Sequence, residues 1–524
     1  MMPTPDSPEV AVRPILLTSL MTVLATLLTA SCGINYRDVP KTPSAALKKA
    51  PSSGVAGQFE AAARRHPGKS GFAALGGNRE AFTSRVALAD FARETLDVQY
   101  YIWTADTIGL TLADHLIQAA DRGVRVRFLL DDVNFKKRDS TTAKIAAHPN
   151  IEVRIFNPHR YRNLRTTEFL ANFGRLNKRM HNKIMVMDNS VAIIGGRNIA
   201  DEYFGLGESF NNRDLDIAAA GPIVRDISAT FDEFWNSAGA IPIEGFVREV
   251  PDMNDFREQL AVLRGNIRPE RYPFPLKQDV DDLRGRIDDI ADKMVWAKGE
   301  VLHDSFESMR GNDPDGKMNI QLHSEIAAAK RSVKIEAAYF ILRDSGVETT
   351  RQLTERGVKV RTLTNALAGN DVVAAQAGHT KRRPQVLRAG MEVYELRPDA
   401  PAMLSQVAPY ATSSRSALHT KSLVIDSEKT FIGSFNLDPR SADINSEIGL
   451  LVHSKAFAKQ VEDFLDEGVR PENAYRVTLD DKGKTLWTAE VDGETKTWTH
   501  DPETSFGRRF MNGLMTLLPI EDQL

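Results

Sequence analysis

From residue 96 the chain switches repeatedly between two spacings of apolar positions. "LDVQYYIW" (residues 96–103) is dense in β-branched and aromatic side chains and reads as a strand. "LADHLIQAADRG" (112–123) follows with helical spacing, then "GVRVRFLL" (123–130) as a second strand. Another helical stretch leads to "IEVRIF" (151–156). The block that begins "HNKIMVMD" (181–188) continues as a pair of strands. Successive side chains on a strand face opposite sides, so His181 and Lys183 point the same way. An imidazole and an ammonium on one face suit either a strand end in solvent or a place where an anion is held and attacked. Strands alternating with helices predict an α/β sandwich with a mixed sheet.

The pattern then repeats. "RGVRVRFL" from Arg122 returns as "RGVKVRTL" from Arg356, 234 residues on. "NIEVRIFNP" from Asn150 returns as "GMEVYELRP" from Gly390, 240 residues on. "LDVQYYIW" is matched more loosely by "VKIEAAYF" from Val333. "HNKIMVMDNSVAIIGGRN" from His181 returns as "HTKSLVIDSEKTFIGSFN" from His419, 238 residues on. Four blocks in one order at nearly one offset make the chain a duplicated unit. The expected division is an apolar leader over 1–32, a flexible tether over 33–58 and a first lobe over 59–245. A helical connector over 246–318, a second lobe over 319–470 and a C-terminal extension over 471–524 complete it. The connector is charged and helix-periodic, as in "DVDDLRGRIDDIADKMVWAKGEVL". The tether is rich in Pro, Ser, Ala and Gly. The tail ends in an amphipathic stretch suited to packing on the body or touching a membrane.

Composition adds exclusions. With 524 residues there is ample chain for two lobes with sizeable cores. A net charge of −3 disfavours a broad electrostatic grip on nucleic acid. A single cysteine, Cys32, rules out an intramolecular disulfide. It follows an apolar run from Ile15 to about Ala30, short for a membrane span of ~20 residues and closer to a signal-peptide core. "LTASCG" resembles a bacterial lipobox, in which the cysteine is lipidated and becomes the mature N-terminus. Thr29 and the acidic Asp6 and Glu9 depart from that pattern. Lipidation at Cys32 or an uncleaved anchor would both put the protein at a membrane of the bacterial cell envelope, a cleaved lipoprotein on its periplasmic side; the third reading is a chance buried cysteine.

Of the eleven histidines, only His181 and His419 occupy equivalent places in the two halves. Lys183 and Lys421, Asp188 and Asp426, Asn198 and Asn436 match beside them, with Gly195–Gly196 answered by Gly433–Ser434. This pattern, His-x-Lys-x4-Asp-x6-Gly-(Gly/Ser)-x-Asn present twice, resembles the signature of the phospholipase D superfamily. The resemblance spans residue 59 to the C-terminus and leans toward the bacterial cardiolipin synthases. It implies two lobes about a pseudo-two-fold axis with one active site at their interface. It makes His181, Lys183, Asp188, His419, Lys421 and Asp426 the catalytic signature, within which Asp188 and Asp426 are structural. It assigns His181 as nucleophile and His419 as acid/base, a choice the symmetric sequence leaves open.

The chemistry fits a phosphodiester. Lys183, Lys421, Asn198 and Asn436 can hold non-bridging oxygens, with Gly196 and Ser434 supporting them. One imidazole attacks phosphorus while the other protonates the departing alkoxide and then deprotonates the incoming alcohol. Each histidine needs an orienting acceptor; the candidates are Asp214, with Asp216 as competitor, and Glu447. No metal-ligand spacing appears, so the reaction is expected to need neither metal nor cofactor. "HRYRNLRTTEFLANFGRLNKRMHNK" (159–183) mixes basic and apolar residues and suits an anionic lipid surface. The leading expectation is phosphatidyl transfer from phosphatidylethanolamine or phosphatidylglycerol to phosphatidylglycerol, giving cardiolipin. Phospholipids and the membrane are then the partners, with nucleic acid not expected and any helper protein unknown. The alternatives are a hydrolytic phospholipase D, a nucleic-acid phosphodiesterase and a catalytically silent lipid-binding module.

Overall fold

The computed structural model describes residues 39–134, 139–247, 249, 252–266, 280–370, 372–518 and 523. The apolar leader and Cys32 lie outside them. Each lobe is built on the same run of strands. In the first lobe these are β1 (Ser70–Leu75), β2 (Thr95–Tyr100), β3 (Arg125–Asp131), β4 (Ile151–Phe156), β5 (Ile184–Met187) and β6 (Val191–Gly195). They are followed by β7 (Phe210–Arg213), β8 (Asp216–Ala220) and β9 (Ala240–Pro242). The second lobe has β10 (Val295–His303), β11 (Ser332–Ala337), β12 (Lys359–Asn365), β13 (Glu392–Leu396), β14 (Arg415–Leu418) and β15 (Lys421–Ile425). It continues with β16 (Lys429–Gly433), β17 (Ile448–His453), β18 (Ala474–Leu479), β19 (Thr485–Val491) and β20 (Glu494–Trp498).

In the first lobe, β2, β3 and β4 run parallel and β5, β6, β8 and β1 complete the sheet antiparallel. The second lobe repeats the order with β11, β12 and β13 parallel, then β15, β16, β17 and β10 antiparallel. The mixed sheet and the histidine-led strand pairs are therefore as the sequence implies. β1 and β10, neither of them foreseen, join the lobes. The start of β10 pairs with β1 from Ala297 to Val295, and its remainder pairs with β17 from Lys298 to His303. One sheet of 18 strands thus runs through both lobes.

Three sequence boundaries are corrected. The span 246–318, expected as a helical connector, holds helices Met253–Asn266 and Val280–Lys293 and also β10. The 471–524 extension is partly second lobe, because β18 pairs with β13 and carries β19 and β20 outward. The described part of the 33–58 tether is no free linker. Residues 39–50 lie against the first lobe, where Arg154 donates to the Thr42 carbonyl at 2.7 Å and Arg127 to that of Ser44 at 3.0 Å. Trp235 donates its indole N–H to Ser44 Oγ at 2.9 Å, and helix Gly54–Arg64 follows. Arg127 and Arg154, both buried, gain carbonyl acceptors that composition alone does not reveal.

A core of side chains from both lobes fills the interface. Ile184, Ile194 and Ile217 of the first lobe cluster there with Val424, Ile432 and Leu450 of the second. Beside it Asp216 is fully buried and accepts from Arg85 at 2.9 Å and Arg197 at 3.2 Å. Asp216, the competing acceptor for a histidine, is thus consumed by two buried guanidiniums. Removing it leaves both cations uncompensated in a dry interior. Asp216→Ala is expected to cost about 3–5 kcal/mol of stability, read as a lowered denaturation midpoint.

Candidate active site

Two short parallel pairings between the lobes build the site. The residue before His181, Met180, bridges Ser446, the residue before Glu447. The residue before His419, Leu418, pairs with Arg213, the residue before Asp214, at the end of the β7–β14 ladder. Each histidine is thereby set beside the carboxylate of the opposite lobe. His181 Nδ1 lies 2.9 and 3.0 Å from the two carboxylate oxygens of Glu447. His419 Nδ1 lies 2.7 Å from Asp214 Oδ2. Both proposed acceptors are thus on the histidines, each across the interface. A carboxylate on Nδ1 fixes that nitrogen as the N–H and leaves Nε2 available to a substrate, with a lone pair in the neutral ring and a proton in the imidazolium.

Side chains at the ends of β3 and β12 hold these segments in place. Asp131 accepts the Met180 N–H at 3.0 Å. Asn365, its counterpart, accepts the Leu418 N–H and donates to the Leu418 carbonyl, both at 2.7 Å. Asp304 accepts the Glu447 N–H at 3.0 Å, and its own N–H donates to the Glu447 carbonyl at 2.9 Å. Ser434 Oγ donates to Glu447 Oε2 at 2.5 Å. Across the pseudo-axis, Gly196 stands where Ser434 does, and a Cβ there would meet Asp214 Oδ1 at 2.2 Å. Glycine is therefore required for Asp214 to keep its place.

The lysines are buried with the histidines. Lys183 donates to the His181 carbonyl at 2.6 Å, and Lys421 donates to that of His419. Asn198 is fixed by the Ile102 N–H at 3.2 Å and by donating to the Tyr203 hydroxyl at 2.9 Å. Asn436 Oδ1 is buried without a hydrogen-bond partner. Tyr101 sets its ring edge to His181 with centroids 4.8 Å apart, and Tyr203 does the same to His419 at 4.9 Å. Tyr101, Tyr203, Asp131 and Asp304 were missed by sequence reasoning; only Asp131 carried a signal there, matched by Asn365 in the repeat.

Asp188 and Asp426 sit at the far ends of β5 and β15 from the histidines. Asp188 accepts the N–H groups of Arg93, Glu94 and Thr95, and Asp426 accepts those of Lys330, Arg331 and Ser332. Both have left-handed φ, 52° and 56°, which aspartate tolerates in a turn. Several cations of the basic segment 159–183 are paired with carboxylates. Arg162 and Arg165 pair with Asp132, Arg175 with Glu168, and Arg179 with buried Asp131.

Burial, and then the charges of Lys183 and Lys421, push His181 well below the usual imidazole range; burial, Lys421 and Lys183 do so for His419. Burial pushes Glu447 up to about 7 against the pull of Lys183. Burial also lowers Lys183, so an arriving phosphate supplies the negative charge that favours its ammonium form. Both histidine shifts favour the neutral imidazole. Removing the Lys183 charge takes away a lowering influence. Lys183→Met is accordingly expected to move the His181 midpoint upward, measured by imidazole NMR titration with His181→Ala as the assignment control.

Comparison with known proteins supplies the affiliation. A family model described as "Cardiolipin synthase, PLD-like domain" matches twice, over residues 86–235 and 322–468. The chain belongs to the cardiolipin synthase family of the phospholipase D superfamily. It is an enzyme of that superfamily's phosphatidyltransferase type. Among its family relatives is "Cardiolipin synthase C" of Escherichia coli (strain K12), 36% identical over 87% of this chain and 97% of that protein. Another is "Cardiolipin synthase A" of Pseudomonas putida (strain GB-1), 26% identical over 77% of this chain and 69% of that protein. The phosphatidylserine synthase structure from Haemophilus influenzae Rd KW20 shares the fold, with a TM-score of 0.52 at 13% identity. That match covers 89% of this chain and all of the other.

Proposed function

We propose that this phosphatidyltransferase makes cardiolipin through a phosphohistidine on His181. The observation that carries the reading is the exchange of carboxylates, which frees Nε2 of both imidazoles at one interface. His181 Nε2 attacks the phosphorus of phosphatidylethanolamine or phosphatidylglycerol and a P–N bond forms. The P–O bond to the headgroup breaks, and His419, entering this step as the imidazolium with a proton on Nε2, gives that proton to the departing alkoxide. The glycerol hydroxyl of phosphatidylglycerol then loses its proton to His419 and attacks phosphorus. The P–N bond breaks and His181 is restored. Lys183 and Lys421 stabilise the charge on the non-bridging oxygens in both steps, with Asn198 and Asn436 assisting. Similarity to a protein named cardiolipin synthase C over nearly all of its length favours this acceptor. The leader and Cys32 favour a lipoprotein on the periplasmic side of the bacterial envelope.

The test is lipid mass spectrometry after incubation of the protein with vesicles of the two phospholipids. Cardiolipin formation that disappears in His181→Ala supports the reading. Phosphatidic acid without cardiolipin would replace it with hydrolysis.

A further inference from the structure

The last described helix, Phe506–Met515, is inside out. Its body-facing side is polar. Buried Asn512 donates to Thr380 Oγ1 at 3.0 Å, and Arg508 donates to the carbonyls of Leu367, at 2.8 Å, and of Asn370. Its outer side carries Phe506, Phe510 and Leu514 at successive fourth positions, beside Met511. Leu517 and Leu518 extend the stripe past the helix end. These six side chains are between 46% and 79% exposed. A helix docked on a soluble body turns its apolar stripe inward; this one turns it outward, which calls for an apolar medium outside.

Its moorings lie at the rim of the active site. The segment 366–370 follows Asn365, which holds the backbone before His419. Near the C-terminus, Gln523 Oε1 accepts from Asn177 at 2.9 Å, and Asn177 also accepts from Arg440 at 2.6 Å. Arg440 is close enough to lower His181. Asn177 sits in a segment with its own exposed apolar side chains, Leu170 and Phe173. Beside it Arg160, Arg175, Lys178 and Arg310 line an indentation floored by Phe156 and Phe306.

We propose that the outer face of helix Phe506–Met515, extended by Leu517 and Leu518, inserts into the interfacial layer of an anionic phospholipid bilayer and seats the active-site rim at the level of the headgroups. A bilayer matches both the apolar stripe and the neighbouring cations. A second copy of this chain matches them poorly, because a two-fold contact through this region would set the cations against themselves.

The experiment uses the full chain with Phe510 replaced by a benzophenone-bearing phenylalanine, photolysed on vesicles of phosphatidylethanolamine and phosphatidylglycerol. Adducts on lipid acyl chains are expected; cross-links between protein chains, or no lipid adduct, would overturn the proposal. In a second arm, Phe510→Ser with Leu514→Ser should lower turnover on vesicles at least tenfold. Turnover on a short-chain phospholipid below its micelle concentration should stay within twofold. Equal loss on both substrates, or no loss on vesicles, would overturn it, and an unchanged thermal midpoint shows the variant folded. The second arm rests on the phosphatidyl-transfer reading, whereas the photo-adduct does not. A chain inactive on every phospholipid that still labels acyl chains would refute the activity and keep the docking face.

Discussion

His181→Ala is expected to reduce phosphatidyl transfer about 10⁴-fold or more, and His419→Ala by a similar factor. On the proposed path, alanine at 181 removes the atom that bonds to phosphorus. Alanine at 419 removes, on the same path, the donor for one alkoxide and the acceptor for the next alcohol, so both half-reactions suffer. The two imidazoles serve one reaction path, so the double variant should be hardly worse than either single one. Single-turnover assays with radiolabelled donor separate the roles. His419→Ala should retain slow accumulation of acid-labile label on protein when the leaving headgroup is a good one, and His181→Ala should show none. Label on His181→Ala would reverse the assignment of the two residues.

The second large effect is expected at Glu447, a residue of the second lobe that serves the histidine of the first. Glu447→Gln keeps the size and one carbonyl oxygen but loses the charge that holds His181 with its proton on Nδ1. The imidazole can then adopt the other tautomer, presenting an N–H to phosphorus. A loss of about 10⁴-fold in kcat is the expectation by analogy with carboxylate loss in a catalytic triad. KM should change little, since Glu447 touches the histidine rather than the lipid. Asp214→Asn should act in the same way through His419. Should either variant lower kcat/KM through KM alone, the carboxylate would be binding substrate instead of fixing a tautomer.

How much of this was legible beforehand follows from where the information sits. His181, Lys183, His419 and Lys421 stood out because the duplication repeats them at one offset, and the strand pairs they open formed as read. Asp214 and Glu447 stood out as candidate acceptors, but the sequence has no sign that they cross over. That depends on Met180 pairing with Ser446 and Leu418 with Arg213, contacts between segments more than 200 residues apart. β10 was hidden because "VWAKGEVLH" adjoins a strongly helical, charged stretch and alternates only weakly. Residues 39–50 read as a linker from composition, since much of their role is played by backbone carbonyls that any sequence would offer. Helix Phe506–Met515 was recognised as amphipathic, whereas which side faces the body is decided by Arg508 and Asn512.

The exchanged carboxylates also carry a history. A contact in which one half gives a histidine and takes a carboxylate, while the other does the reverse, is the geometry of a symmetric homodimer. Here it is written into a single polypeptide. Two identical subunits are bound to keep identical residues on both sides. Fused halves are released from that constraint, and this chain has used the freedom: Glu447 stands where the first half has Asp214, Ser434 where it has Gly196, and Arg440 where it has Glu202. Fusion thus permits a division of labour between the two imidazoles, which on the proposed path is one bonding phosphorus and the other carrying protons.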